Sequence, residues 1–152
     1  MSHAVLLVDD DVQILQFVRL LIERGAQLDR ANKWGVTPVV SAATSGFTQV
    51  LEALLQAGAK PDYCDPNDYH EHPPLHMACN RRHADAVRLL VEHGANVNLA
   101  CSSGYTALMH LKEDDVEIAS YLVAHGANTE AINAFNKGMN LALKKALAGV
   151  EN

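Results

Sequence analysis

The sequence predicts an all-α solenoid of stacked helix pairs, with loop or β-hairpin tips projecting between successive pairs. Three observations carry this reading. The dipeptide Gly-Ala returns in "ERGAQLD", "QAGAKPD", "EHGANVN" and "AHGANTE", with Gly25, Gly58, Gly94 and Gly126 spaced 33, 36 and 32 residues apart. A period near 33 marks repeated supersecondary units that bury their faces on one another. Before each glycine, apolar residues recur three or four apart: Phe17, Val18, Leu21, Ile22; Val50, Leu51, Leu54, Leu55; Val87, Leu90, Val91; Ile118, Leu122, Val123. Each set is one buried helical face. Upstream of the last three sets lies a second signature, "TPVVSAATSG" at 37–46, "PPLHMACNRR" at 73–82 and "TALMHLKEDD" at 106–115.

The first element is the least regular. "AVLLVDDDVQILQFVRLLIERG", residues 4–25, runs from an apolar stretch through three aspartates into an amphipathic helix. It looks like the first strand and helix of a bacterial receiver domain, where such aspartates hold magnesium. A receiver also needs a phosphate-accepting Asp at the end of an apolar strand some forty to fifty residues on. Here that region reads "TQVLEALLQAGAKPD", a helical pattern, and Asp62 follows a helix stop. The receiver reading is therefore rejected, and Asp9, Asp10 and Asp11 are expected to cap a helix whose free N–H groups and dipole favour carboxylates. Asp114 and Asp115 are expected to do the same in the fourth unit. Asp11 stands three residues further from its glycine than Asp115 does from Gly126. The outer helix of the first unit is thus about a turn longer, and its partner helix short or malformed.

In the remaining units the order is turn, helix, tight loop, helix, glycine stop. Thr or Pro starts the first helix, proline being tolerated in a first turn. Ala42, Ala43, Ala78 and Cys79 are small enough to let two helices pack closely. Glycine past each second helix supplies the left-handed residue that ends it. Arg24, His93 and His125 stand in the last turn, where a donor suits unsatisfied carbonyls.

These features resemble the ankyrin repeat, whose signature runs T-P-L-H-x-A-A with Gly-Ala closing the second helix. The resemblance covers roughly residues 12–132 and implies an ankyrin-type solenoid with hairpin loops at about a right angle to the helices. It suggests one domain over 1–152, with repeats near 1–31, 32–64, 65–100 and 101–132 and a partial repeat or cap at 133–152. The departures are specific. Val40 and Met109 stand where His is expected, and Pro73 replaces the Thr. The family's hydroxyl–imidazole bridge should be absent or partial, lowering stability. One unit also carries three extra residues, in the loop "YCDPNDYHEHPP".

Composition narrows the function classes. A 152-residue chain with 49% hydrophobic residues can bury a core, and its formal charge of −6 argues against nucleic acid and anionic membranes. No apolar run approaches the roughly 20 residues of a bilayer span, and "MSHAVLLVDDD" lacks a signal peptide's basic start. Three cysteines without close spacing fit a reducing intracellular compartment, cytoplasmic or nuclear. "CDPNDYHEHPPLHMAC" gathers Cys64, His70, His72, His76 and Cys79, which raises a zinc site as the minor alternative. His76 falls on the family's structural His, Cys79 replaces a core alanine, and Asp and Pro are ordinary turn formers, so the structural reading prevails. No nucleophile motif, phosphate-cradling loop or cofactor signature stands out. Ser102 and Ser103 lack the context of a nucleophile elbow. Lys144 and Lys145, in "NLALKKALAG", read as a solvated helix face, and Arg82 and His83 as an exposed inter-helix loop.

A repeat stack offers a grooved face rather than a closed pocket. The resemblance implies a non-enzymatic scaffold that binds a protein partner on the face of hairpin tips and first helices. The expected contact residues are Lys33, Trp34, Val36, Thr44 and Ser45; Tyr69, His70, His72, Asn80 and Arg81; and Ser102, Ser103 and Tyr105. Trp34, Tyr69 and Tyr105 would make an aromatic stripe along successive tips, Trp and Tyr being frequent interface anchors. Alternatively the chain is a segment of a longer array, self-associating through "AVLLV" and "LALKKALA", which are more apolar than solenoid caps.

Overall fold

The computed structural model describes residues 10–64, 72–112, 114–130, 132, 144, 148 and 149. Its helices are α1 (Asp10–Glu23), α2 (Pro38–Ser45), α3 (Thr48–Gln56), α4 (Pro74–Asn80), α5 (Ala84–Glu92) and α6 (Val116–Ala124), with a 3-10 turn at Ala107–His110. Among the described residues there is no strand, only an isolated antiparallel bridge between Ala100 and Thr106. Two layers result. The inner layer stacks α2 on α4 and α4 on the 3-10 turn, while the outer layer stacks α1, α3, α5 and α6 in order.

Each outer helix ends in the same way. At Gly58 (φ 99°) the glycine N–H donates to Leu55 O at 3.1 Å, and the Ala59 N–H reaches back to Leu54 O at 3.0 Å. The pattern repeats at Gly25-Ala26, Gly94-Ala95 and Gly126-Ala127, onto Leu21, Leu90 and Leu122. This is a Schellman closure, which satisfies the last carbonyls and needs a left-handed residue at the glycine. His93 and His125 add to it, each Nδ1 lying within 2.9 Å of the carbonyl four residues back. Four residues past the first three closing glycines a side chain then accepts from the next unit's backbone. Asp29 takes the Lys60 N–H, Asp62 the Asn96 N–H and Asn98 the Asn128 N–H, at 2.7–2.9 Å.

The inner helices start at Thr37-Pro38 and Pro73-Pro74. The Thr37 hydroxyl caps α2 by accepting from the Val40 N–H at 3.2 Å. Helix α2 ends on Gly46 (φ 73°), where a Cβ would meet the His83 ring at 2.7 Å. After α4 the equivalent left-handed position is filled by Arg82 (φ 62°), a non-glycine residue. Between the layers Ala42, Ala43, Ala78, Cys79 and Ala86 are almost wholly buried, and Leu51, Leu75, Leu90, Leu108 and Leu122 fill the space around them. The small residues thus set a close approach of the helices, as the sequence pattern requires.

Several expectations are corrected. The fourth inner helix is a 3-10 turn of four residues rather than a helix over 106–115. Leu111 turns extended (ψ 151°) and is buried, and the Asp115 carboxylate takes the Lys112 N–H at 2.8 Å, closing a loop where the next helical turn would form. Asp115 sits at the N-cap of α6 but makes no side-chain cap bond; its other oxygen accepts from Arg82 Nε at 2.7 Å. Arg82 and His83 are therefore not a bare loop: the His83 Nε2 lies 3.2 Å from Thr44 O. Helix α1, with 14 residues against nine in α3, α5 and α6, is longer as expected. Asp10 and Asp11 lie in its first turn, and Asp9 is outside the described residues. No described unit holds both the Thr and the His of the family bridge.

Among the described residues His76 is the most buried imidazole, 1% exposed. Its Nε2 lies 2.8 Å from Leu99 O, and because a carbonyl only accepts, this nitrogen carries the proton. The His110 ring stands 5.2 Å away, centroid to centroid. Burial lowers the His76 pKa from 6.5 to about 4; the Leu99 bond opposes that, and His110 and His72 add to it. Burial lowers His110 as well.

Three outcomes test this packing. Leu54→Ala should cost roughly 2–5 kcal/mol in chemical denaturation, because Leu54 is a buried core residue. Gly46→Ala should cost at least about 1 kcal/mol by the same measurement, from left-handed strain and the clash with His83. The third is acid sensitivity. Between about pH 4 and 6.5 the unfolded chain takes up a proton that folded His76 refuses, so stability should fall as pH drops through that window. The shift corresponds to roughly 3 kcal/mol. His76→Gln, which keeps a donor for Leu99 but does not titrate, should flatten the dependence of the urea midpoint on pH.

Candidate functional site

Two tips between helix pairs, at 32–36 and 101–105, are described, and both expose an aromatic ring. Residues 32–36 make a tight turn: the Gly35 N–H donates to Asn32 O and the Asn32 N–H to Val36 O, both at 3.0 Å. Residues 101–105 repeat it, with Gly104 N–H on Cys101 O at 2.8 Å and Cys101 N–H on Tyr105 O at 2.9 Å. Gly35 (φ 81°) and Gly104 (φ 80°) supply the left-handed corner. The two turns are therefore the same device, two units apart. The Asn32 side chain stiffens the first by accepting from the N–H groups of Trp34 and Val36 at 2.9 and 3.1 Å.

On this frame the expected contact residues fall as follows. Trp34 is 63% exposed, with Lys33 Nζ 4.3 Å above its ring. That cation–π pair holds an aromatic and a positive charge together at the tip. Val36 is half-buried. Ser102, Ser103 and Tyr105 are exposed, and the Tyr105 ring lies 6.2 Å from that of His110. Ser45, Asn80 and Arg81 are exposed at the ends of α2 and α4. Thr44 differs: its hydroxyl donates to Val40 O at 2.6 Å and its carbonyl faces His83, so its polar groups serve the fold. His72 is half-buried. Tyr69 and His70 lie outside the described residues, and with them the middle of the aromatic stripe.

The minor alternative fares poorly in its described part. Cys79 is buried in the core, and that burial, with the charge of Asp115, pushes its thiol up to about 12. His76 directs its Nε2 at Leu99 O. Among the described residues no three His, Cys, Asp or Glu side chains are grouped to hold a metal ion.

A charged seam on the far edge escaped the sequence reading. Arg82 pairs with Asp115 and Asp114, and Arg88 with Glu117 and Asp85. The signal existed, since Arg82 and Asp115 stand 33 residues apart, one repeat period.

Comparison with known proteins agrees with this geometry. The family description "Ankyrin repeats (3 copies)" matches residues 63–133, and "Ankyrin repeat" matches residues 34–66. B-cell lymphoma 3 protein homolog of Mus musculus is 31% identical over 117 residues, 75% of this chain and 26% of that protein. Ankyrin repeat and SOCS box protein 6 of Mus musculus is 33% identical over 113 residues, covering 72% and 26%. Rabankyrin-5 of Homo sapiens is 32% identical over 92 residues, covering 50% and 8%. The chain thus spans about a quarter or less of the length of each of these relatives. Two family matches that together run from residue 34 to 133, over helix pairs closed by Gly-Ala, have one meaning: the chain belongs to the ankyrin repeat family.

Proposed function

We propose that the chain is a non-enzymatic interaction scaffold that binds a protein partner through its tips and the adjoining ends of its inner helices. Ankyrin repeats generally serve as protein–protein interaction modules, which supports the coarse reading. The observation that carries the finer one is Trp34, the only tryptophan, exposed at a stiffened tip with Lys33 over its ring. An apolar ring held in water by a rigid turn costs little entropy to bury, which is what an interface anchor requires. Lys33, Val36, Thr44, Ser45, Asn80, Arg81, Ser102, Ser103 and Tyr105 would extend the face along successive units. Tyr69, His70 and His72 belong to the same proposed face. No helix among the described residues is long and apolar enough to cross a membrane. The repeat divisions near 32, 65 and 101, and an intracellular setting, belong to the same proposal.

The test is affinity capture from the source cell with the wild-type chain and with Trp34→Ala. The variant should change folding stability by less than about 1 kcal/mol, as an exposed residue does. It should weaken binding by about 2 kcal/mol or more. Free protein should show red-shifted, readily quenched tryptophan emission that moves to the blue in the complex. Equal capture by both proteins would move the binding face away from the tips.

A further inference from the structure

The junction between the third and fourth inner elements gathers three imidazoles. His76 stands on α4, His110 on the 3-10 turn packed against it, and His72 on the chain just before α4. The His76 and His110 rings lie 5.2 Å apart, and the charge of His72 acts on both. Three polar atoms where these two elements meet are buried without a hydrogen-bond partner: His76 Nδ1, His110 Nε2 and the Oγ1 of Thr106, the residue that starts the 3-10 turn. Such atoms weaken the contact that buries them. The segment from the fourth unit is itself lightly held. Its 3-10 turn has four residues against seven in α4, and its tip closes on an isolated bridge between Ala100 and Thr106. The His76 bond to Leu99 O ties it back to α4.

We propose that this junction is an acid-opened latch. Protonation of its imidazoles lifts residues 99–111 off α4, and the 101–105 tip moves with them while the earlier units stay folded. The closed form has no place for a second proton on His76. Its Nε2–H serves Leu99 O, so the proton would sit on Nδ1, wholly buried, facing no acceptor and beside His110. Once the segment leaves, the ring meets water and titrates at its ordinary 6.5. Burial holds it at about 4 in the closed form, so each step down in pH between those values favours opening. Among the described residues no carboxylate acts on either ring to oppose this. Of the elements packed on α4, α2 has no ionisable side chain and the 3-10 turn has only His110. Helix α5 has Asp85, Arg88 and Glu92, with Arg88 paired to Asp85 and Glu117. Arg82, beyond α4, pairs with Asp114 and Asp115, and Asp115 acts on Cys79 instead. Tyr105 lies 6.2 Å from His110, and Arg81 and Lys112 are exposed.

The opening stays local because repeats contact only their neighbours, so this segment can leave without disturbing α2 and α3. Tyr105 belongs to the proposed partner face. The consequence for binding rests on that reading, whereas the latch is a property of the free chain.

Amide hydrogen exchange of the free, full chain at pH 7.5 and 5.5, corrected for intrinsic rates, tests the latch. Protection of the Cys101, Gly104, Met109 and Leu111 amides should fall about tenfold from His76 alone, and further from His110. At pH 5.5 these amides should exchange ahead of those of Leu51 and Ala57 in the second unit, with an unchanged circular dichroism spectrum. His76→Gln should remove the tenfold response. His110→Gln should reduce the response by its own share, which keeps the test decisive if one variant fails to fold. Protection independent of pH, a response that survives both substitutions, or equal loss in 101–111 and in the second unit would each overturn the proposal.

Discussion

The stack depends on one backbone event repeated four times, the left-handed glycine that closes each outer helix. Because φ is positive at Gly25, Gly58, Gly94 and Gly126, the next N–H can turn back onto the carbonyl of a leucine one turn earlier. The same turn sends Ala59, Ala95 and Ala127 into buried positions below it. The last three outer helices therefore end with a core leucine and a buried alanine in fixed relation. From that level the chain leaves toward the next tip, and Asp29, Asp62 and Asn98 reach the neighbouring unit's backbone. A side chain at any of these glycines would meet open space, and its cost is the strain of the left-handed backbone.

Periodic stacking also divides the labour among the faces. Inner helices face outer helices across alanines and a cysteine, and nothing larger fits without separating the layers. The outer edge carries ion pairs between neighbours, Arg82 with Asp115 and Arg88 with Glu117. Stacking makes no such demand on the tip side chains. A turn such as 32–36 needs its glycine and its Asn32 acceptor, but leaves Lys33 and Trp34 to face solvent. A scaffold of this kind can vary its recognition while its core stays constant.

Where local preference and neighbour contacts disagree, the neighbours prevail. "TALMHLKEDD" has helical composition, yet only one 3-10 turn forms, because the Asp115 carboxylate satisfies Lys112 and Arg82 instead of the start of α6. Arg82 accepts a left-handed backbone that costs a residue with a Cβ about 1–2 kcal/mol. Its guanidinium faces the largely buried Asp115 carboxylate, which would otherwise lack a charged partner. Such compensation between units is a tertiary effect with no local signature.

The sequence by itself determined the architecture. Glycine conformation and apolar spacing are local properties, and their common period dictated the outer helices, their order and where each one stops. It also marked the tips, since Trp34-Gly35 and Ser103-Gly104 fall outside every apolar pattern. Tertiary structure decided which polar groups the fold consumes. Thr44 reads as a surface threonine, but its hydroxyl is held by Val40 O and its carbonyl by His83. His76 reads as one of five possible metal ligands, but its depth and its bond to Leu99 O make it a neutral core histidine. The exposure of Phe17 and Leu21 on α1 was equally out of reach. Both match the core pattern of every other outer helix, and only the placement of neighbours decides whether such a face is buried.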